Sequence, residues 1–551
     1  NTDPFLQAIV WDEELMGPFG LVCEASVLKE HEVRKMIVLS PGRLLPDNVK
    51  SIIFITRPSV KVMDVIAESI RLEERNRSPA KEFHLLLVPR KSFLCTSRLI
   101  EHGAHDVFHS IEELSIDLYL LDSFIVSMEW KHAFKECHLE NDTTCLFHAA
   151  RALMTLQSLY GTFPRVIGKG QCSKQVWDLM SHMQRDHRDH SSSSSLSALT
   201  PRIHTLILID RAVDLLTPLA TQLTYEGFID EILHIERNVV KIPAEKIQRA
   251  DGKGPQEVTE GYKHYVLTSQ EELYAEIRDK HFNALGPIMV QKTKFLKEFN
   301  EENKSNFSIA ELIKEVAHSD EFRDSLKTEQ EFLNGMNTDQ VHPYIVKCLV
   351  KKEPMFKVGS YFESRLNGGL KQKVLEYYQR SLIHTYGFHH IHTLYHLENA
   401  GLLKLQGRPT YTFLRRTLRL SDEDVSERNP TDIAYVHSGY APLSVRVIQR
   451  LSKGDWASIE DALLALPGPL IDERQQIPLS VRKKSVMHGG GGNGEMVTLV
   501  FFLGGCTFAE IAALRFLSQQ ADMGTEFLIG TTGIINGTTF LESIQEVLLP
   551  S

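Results

Sequence analysis

RIHTLILIDRAVDLLTPLATQLTYEGFIDEILHI, Arg202 to Ile235, decides the fold class. Thr205 to Ile209 (TLILI) is a short apolar run of strand-favouring residues with polar flanks. It is too short for a helix and reads as a buried parallel strand. It ends in Asp210-Arg211, with Asp214 one turn further on. Pro218 fits the first turn of a helix, where a missing N–H is harmless. Leu223, Phe228, Ile229, Ile232 and Leu233 then recur at mixed 3/4 spacing, the stripe of a packed helix. Two carboxylates and an arginine at a strand end can be a catalytic cluster. No His, Ser or Cys nucleophile stands beside them, and a buried Arg needs carboxylate partners. Asp210, Arg211 and Asp214 are therefore expected to form a structural ion-pair clasp at the strand-to-helix turn.

Upstream, the apolar runs AIVW (8–11), MIVL (36–39), SIIFI (51–55) and HLLLV (84–88) alternate with helical patterns around 13–32, 59–75 and 91–102. Such alternation predicts a doubly wound parallel sheet. Sheets of this kind bind ligands beyond the strand C-termini, with glycine-rich turns for phosphates. None of these turns carries GxGxxG or GxxxxGK[ST]. A second α/β unit starts near Ser115. Its helix from Asp142 to Tyr160 has a capping Asp142 and a terminating Gly161. Gly168-Lys169-Gly170 lacks Walker spacing and reads as a turn before the helix at 171–186. HRDHSSSSSLSALTP (187–201) is low-complexity and expected to be a disordered surface loop.

From about 240 to 425 the strand signals fade. Ser269 with Glu272 predicts a capping box opening a long helix over 269–300, kinked at Gly286-Pro287. Ser308 with Glu311 predicts a second helix, and the two form a hairpin with about eight polar residues between Phe299 and Ser308. The polar face of the first helix carries Arg278, Lys280, Lys292, Lys294 and Lys297. A compact helical part spans Lys371 to Leu403 and contains YYQRSLIHTYGFHHIHTLYHLE (377–398). His389, His392 and His396 share helical spacing, but no Asp, Glu or Cys completes a zinc site. Exposed aromatics and histidines fit a protein interface better.

Strand–helix alternation resumes near Asp432, with IAYV (433–436) expected as a strand and Ala441 to Leu451 as a helix entered through Pro442. HGGGGNG (488–494) reads as a flexible loop. TLVFFL (498–503) is a buried strand, Gly504-Gly505 a tight turn, and Thr507 the cap of a helix ending near Ser518. The glycine pair can hold an anion at a helix N-terminus, but close strand–helix packing needs the same glycines. Strand FLIGT (527–531) and a helix at 538–548 complete the block. Its character matches residues 115–240, so one sheet domain is interrupted by a helical insertion.

At 551 residues the chain holds two or three domains. Its net charge of −10 argues against a general nucleic-acid binder. Seven cysteines without a CxxC pair point to a reducing compartment. No apolar run reaches the roughly 18 residues of a membrane span. Asn1 is not an initiator Met and no signal peptide is visible, so residues are expected to precede it.

The run DRAVDLLTPLATQLTYEGFIDE (210–231) resembles the signature of the SM (Sec/Munc) proteins, the SNARE-binding factors of membrane fusion. VTLVFFLGGCTFAEIAALRFLS (497–518) is similar to that family's C-terminal strand–Gly-Gly–helix. LLTPLATQLTYEG and SGYAPLSVR (438–446) look most like its vacuolar/lysosomal branch, the SM subunit of the HOPS and CORVET tethers. The likeness spans nearly the whole chain. It implies the SM arch of two α/β parallel-sheet domains, the second discontinuous, with a mainly helical third domain inserted. The implied divisions are 1–115, 116–240, 241–345, 346–425 and 426–551.

It also implies a non-enzyme without cofactor or metal that templates or protects SNARE assembly, engaging Qa- and R-type helices and the assembled bundle. The SNARE face falls on the 269–300 helix, with Arg278, Lys280, Lys292, Lys294, Phe295 and Lys297. A sister subunit of the tether is implied to contact the smaller helical part, at Gln379, Tyr386, Phe388 and His389. Gly504 and Gly505 join Asp210, Arg211 and Asp214 as structural residues. The implied location is cytoplasmic, at late endosome and vacuole/lysosome membranes, with only indirect membrane contact and no nucleic acid. Two other readings stay open: a passive tether scaffold, and a nucleotide-dependent enzyme with anion sites at Gly168–Gly170 and Gly504–Gly505.

Overall fold

A computed structural model describes residues 7–23, 25–42, 49–75, 81–190, 199–243, 261–295, 301–334, 371–388, 390–402, 410–454, 458–475 and 496–544. The Ser-rich core of the 187–201 run and the HGGGGNG segment lie outside them. The chain separates into two compact units, Asn1–Leu121 and Asp122–Ser551.

In the first unit, five parallel strands run in the spatial order Val33–Val38, Gln7–Trp11, Ser51–Thr56, Glu82–Leu87, Phe108–Glu113. Both faces of the sheet are apolar, so each carries its own core. Ala8, Val10, Ile52, Phe54 and Leu85 pack with Met63, Ile66 and Ile70 of the Val60–Arg75 helix. Ile9, Trp11 and Ile55 pack with Leu15 and Phe19 of the Glu13–Val22 helix. The alternation of sides follows from the period of two along a strand. The predicted helix over 13–32 is two shorter ones, Glu13–Val22 and Ala25–Glu30.

The second unit is built on a sheet with six strands wholly inside it. In its interior Thr205–Asp210 is flanked by parallel Arg165–Lys169 and Met496–Leu503. Thr525–Thr531 and Ile125–Ser127 follow beyond Met496–Leu503, both parallel. Leu470–Arg474 closes the other edge, antiparallel to Arg165–Lys169. Leu206 through Ile209 and Val500 through Leu503 are buried almost completely, as a central strand covered on both faces must be. Strands from 125–210 and 470–531 therefore interleave in one sheet, and the domain is discontinuous in sequence.

Between these halves the chain is mainly helical, with Glu272–Ile277, Phe282–Phe295, Glu301–Ala317, Asp320–Leu333, Gln372–Tyr386 and His390–Asn399. Four expectations are corrected here. The 269–300 helix is broken at Arg278–His281, where Phe282 N donates to the Leu223 carbonyl at 2.9 Å and Tyr225 N to the Lys280 carbonyl at 2.8 Å. The backbone there is engaged by the sheet domain and cannot continue a helix. The second helix starts at Glu301, so Ser308 lies within it and is no cap. IAYV belongs to a 3-10 turn, Ile433–His437, capped by Asp432 Oδ1 on Ala434 N at 2.9 Å. A four-residue buried apolar run cannot by itself separate strand from turn. Tyr262–Val266 (YKHYV) forms an antiparallel strand against Val239–Pro243 in a small three-stranded sheet, where no strand was expected.

Glu329 ties the insertion to the sheet domain. Its carboxyl is 3 % exposed and accepts from Thr221 N and Thr221 Oγ1, both at 2.7 Å. Burial raises its pKa to about 7, outweighing the Thr221 hydrogen bonds, which lower it. The folded value lies above the unfolded one near 4.5. The native state therefore holds a proton through that window that the unfolded chain has released. This contribution is complete below about pH 4.5 and is lost as pH rises to 7, on the order of 3 kcal/mol. Glu329→Gln should flatten the fall in melting temperature between pH 5 and 7.5 relative to the unmodified chain. Parallel curves for the two would show that the carboxyl stays charged throughout.

Candidate functional site

Arg211, at the end of the central strand, has no exposed surface. Its Nη1 donates to both Glu510 oxygens at 2.9 Å and to the Gly505 carbonyl at 3.3 Å. Nε donates to the Asp214 carbonyl at 2.8 Å, and Nη2 lies 3.5 Å from Asp214 Oδ2. Asp214 in turn accepts from Leu216 N, Thr217 N and Ser444 N at 2.9–3.1 Å. Glu510 accepts from Thr507 N at 2.9 Å and from the hydroxyls of Thr507 and Ser444. Burial alone would discharge these groups. For Asp214 the Arg211 charge and the Thr217 and Ser444 bonds outweigh it, and its pKa is lowered. For Arg211 the two carboxylates outweigh burial and raise it.

The clasp thus exists, with a membership sequence reasoning missed. Its main carboxylate is Glu510, which no local spacing connects to Arg211. Asp210 turns the other way, to His138 Nε2 at 2.9 Å and Cys172 N at 2.9 Å. The one signal for Glu510 was the Thr507-x-x-Glu510 pattern, and it does form a capping box.

Gly504 and Gly505 serve this clasp. Both have left-handed φ, +97° and +109°. A Cβ at Gly504 would fall 2.7 Å from Arg211 Cβ, and one at Gly505 2.7 Å from Ile535. The turn is filled by the chain's own side chains. The same holds at Gly168–Gly170. Lys169 is buried with its Nζ on the Gly468 carbonyl at 2.5 Å, and Asp210 packs against Gly170.

Of the residues expected on the basic helix face, Lys280 is exposed. Arg278 turns inward instead, to Asp122 and to Ser269 Oγ at 2.7 Å. It borders a cluster in which Arg515 pairs with Glu226 and Asp279 at 2.9 Å and with Asp122 at 3.1 Å. Arg278, Asp279 and Arg515, with Phe124, Gln519 and Phe527, line a cleft of about 680 Å³. Lys292, Lys294 and Phe295 fall in the last turns of the Phe282–Phe295 helix, where side chains are not described, and Lys297 lies outside the described residues.

In the smaller helical part, Phe388 stands 79 % exposed between two helices, with Ile391, Tyr395 and Tyr377 also exposed. Gln379 donates to Glu398 Oε1 at 2.5 Å and braces the helix pair. Tyr386 ends the first helix, its side chain not described, and His389 lies outside the described residues. His396 Nδ1 bonds to the Ile544 carbonyl at 2.9 Å, which fixes the ring against the sheet domain. Among the described residues, no helix is long and apolar enough to cross a membrane.

The interleaved sheet, the closed glycine turns and the helical insertion define a family, and the chain belongs to it: the Sec1 family model matches residues 7–312 and 289–543. The chain is 50% identical to vacuolar protein sorting-associated protein 33A of Rattus norvegicus, over 98% of this chain and 94% of that protein. It is 35% identical to the Drosophila melanogaster protein of the same name, with the same coverage. Among solved structures, the Unc18–syntaxin 1 complex from Monosiga brevicollis shares the fold at a TM-score of 0.61 and 14% identity, covering 99% of this chain and 96% of that one. The SM protein Vps45 in complex with the Qa SNARE Tlg2 gives 0.59 and 14%, covering 98% and 94%.

Removing one partner of the buried clasp leaves the other charge stranded. Arg211→Ala or Glu510→Ala should cost about 3–5 kcal/mol and sharply lower the melting temperature. Retention of the full melting temperature in both variants would show that the clasp is not a structural element.

Proposed function

We propose that the chain is a SNARE-binding SM protein of the late endosome and vacuole/lysosome. It templates or protects SNARE assembly in membrane fusion as a subunit of a HOPS/CORVET-type tether, and it performs no chemistry. The observation that carries this reading is the 50% identity, along nearly the full length, to a vacuolar protein sorting relative. The buried clasp supports the last part. The Arg211 clasp is consumed by internal hydrogen bonds, and the glycine turns hold side chains. The chain would act from the cytoplasmic side, reaching membranes through its partners.

SNARE motifs are heptad coiled coils with charged outer positions. A binder that leaves part of such a helix free for its partners uses a polar, positively charged face, which steers encounter and selects partners. Lys280, Lys292, Lys294 and Lys297 are the residues we assign to it, with Phe295 as an apolar contact. Arg278 supports this face from behind through Asp122. Charge reversal at Lys292 and Lys294 should weaken binding of isolated Qa- and R-SNARE motifs about tenfold at low salt, at up to about 1 kcal/mol per exposed pair. Added salt should narrow the gap. Titration calorimetry showing equal affinity would place recognition elsewhere. An unmodified chain that binds no SNARE motif would leave the passive scaffold.

Phe388, together with Gln379, Tyr386 and His389, is the surface we assign to the sister subunit. Aromatic anchors dominate interface energies, on the order of 2 kcal/mol or more when truncated. Phe388→Asp should abolish co-purification of that subunit and leave circular dichroism and the melting curve unchanged. Loss of folding instead would make Phe388 a core residue.

A further inference from the structure

Behind the central strand lies a cluster that neither the SM resemblance nor the clasp uses. The short helix Ala133–His138 delivers Cys137 and His138 at its last turn. Cys172 comes from the first turn of the Gln171–His190 helix, and Asp210 from the end of the Thr205–Asp210 strand. The ligand atoms of His138, Cys172 and Asp210 all lie within 4.8 Å of one another. His138 Nε2 is 2.9 Å from Asp210 Oδ1 and 3.4 Å from Cys172 Sγ. The Cys137 thiol interacts with that of Cys172 but falls outside this 4.8 Å group, and its Sγ lies 3.1 Å from Cys145 Sγ. Cys172 and Asp210 are buried, and all three cysteines are thiols rather than disulfides.

We propose that Cys137, His138, Cys172 and Asp210 form a structural Zn(II) site, the metal taking the place of the proton between His138 and Asp210. The donor set is one imidazole nitrogen, two thiolates and one carboxylate oxygen, which suits borderline-soft zinc and not the all-oxygen cations. Zinc–ligand bonds of about 2.0–2.3 Å set tetrahedral edges of about 3.3 Å for nitrogen to oxygen and about 3.5 Å for nitrogen to sulfur. The two His138 separations, 2.9 and 3.4 Å, need to open by only a few tenths of an ångström, while the Cys137 thiol has to swing in from outside the 4.8 Å group as the fourth ligand. The orienting contacts of a metal site are also in place. Asp210 is fixed by the amides of Ala212 and Cys172 at 3.0 and 2.9 Å. The His138 ring lies against Phe134, centroids 4.8 Å apart. A plain imidazole–carboxylate pair would account for His138 and Asp210. It gives no role to three thiols, which are weak hydrogen-bonding groups. Zinc gives two of them a role as ligands, and Cys145 becomes a neighbour bonded to the Cys137 sulfur.

The test uses the full chain without an affinity tag, stripped with a chelator under reducing conditions and titrated with zinc alone or cobalt(II) alone. Expected are one zinc per chain and a rise in melting temperature on zinc addition. The cobalt form should show the thiolate charge-transfer and strong visible bands of a tetrahedral centre. His138→Gln and Cys172→Ser should each weaken zinc at least about tenfold, and Cys145→Ser should keep the full equivalent. His138 is partly exposed, so its variant keeps the test open if Cys172→Ser fails to fold. No zinc uptake by the stripped chain would reduce the cluster to hydrogen bonds, and so would a disulfide between Cys137 and Cys145 forming in preference to metal uptake. Equal uptake by both ligand variants would put the metal elsewhere.

Discussion

A guanidinium with no exposed surface has to find its counter-charges inside the protein. Arg211 finds the main one 299 residues away, in Glu510. Taking the two charges out of water is costly and pairing them returns about as much, so the pair's net stabilisation is small. Its leverage comes from the penalty for being wrong. If the Met496–Leu503 strand paired with the Thr205–Asp210 strand in another register, Glu510 would miss Arg211 and a buried charge would stand alone. The halves of the split sheet are thereby held to one alignment, which apolar strands such as LILI and LVFF do not specify by themselves. The surplus negative charge, two carboxylates to one guanidinium, is spread over the donors of Leu216, Thr217, Ser444 and Thr507.

The same turn explains why a doubly wound sheet here lacks an open ligand crevice at its glycine turns. Ligands of such sheets sit beyond the strand C-termini, where glycines let a phosphate approach the backbone. Here the glycines admit protein instead: Arg211 against Gly504, Ile535 against Gly505, Asp210 against Gly170. A side chain delivered by the chain itself is always present at high effective concentration, so a free phosphate would have to displace it. In the insertion, Lys280 and Phe388 stand exposed at breaks between helices.

What was legible in the sequence follows the range of each interaction. TLILI, VFFL and SIIFI read as strands because short apolar runs with polar flanks have few other homes, and Thr507 read as a cap because capping is a local signal, here completed by Glu510 three residues on. Glu510 as the partner of Arg211, and His138 as the partner of Asp210, were not legible, since ion pairs between distant segments leave no spacing. The Cys137–His138–Cys172–Asp210 cluster was hidden for the same reason, its members coming from three elements. Locally ambiguous patterns failed too. IAYV is a buried turn because Asp432 caps it, and Arg278 points inward because Asp122 awaits it there. The basic face at 278–297 was read from sequence as a uniform stripe, and tertiary partners divided it.

Three motifs make the chain recognisable: 210–231, 438–446 and 497–518. They meet at one place. The first supplies Arg211 and Asp214, the second Ser444, the third Glu510 with Thr507 and the glycine pair. Ser444 touches both carboxylates, its amide on Asp214 and its hydroxyl on Glu510. The residues that carry the family resemblance are therefore the ones that close the split domain. Their chemistry is spent on one another, and they testify to the fold. Partner choice has to be written on surfaces the clasp does not constrain. Exposed positions at the helix breaks satisfy that condition, since Lys280 and Phe388 make no contact with the clasp and stand open to solvent.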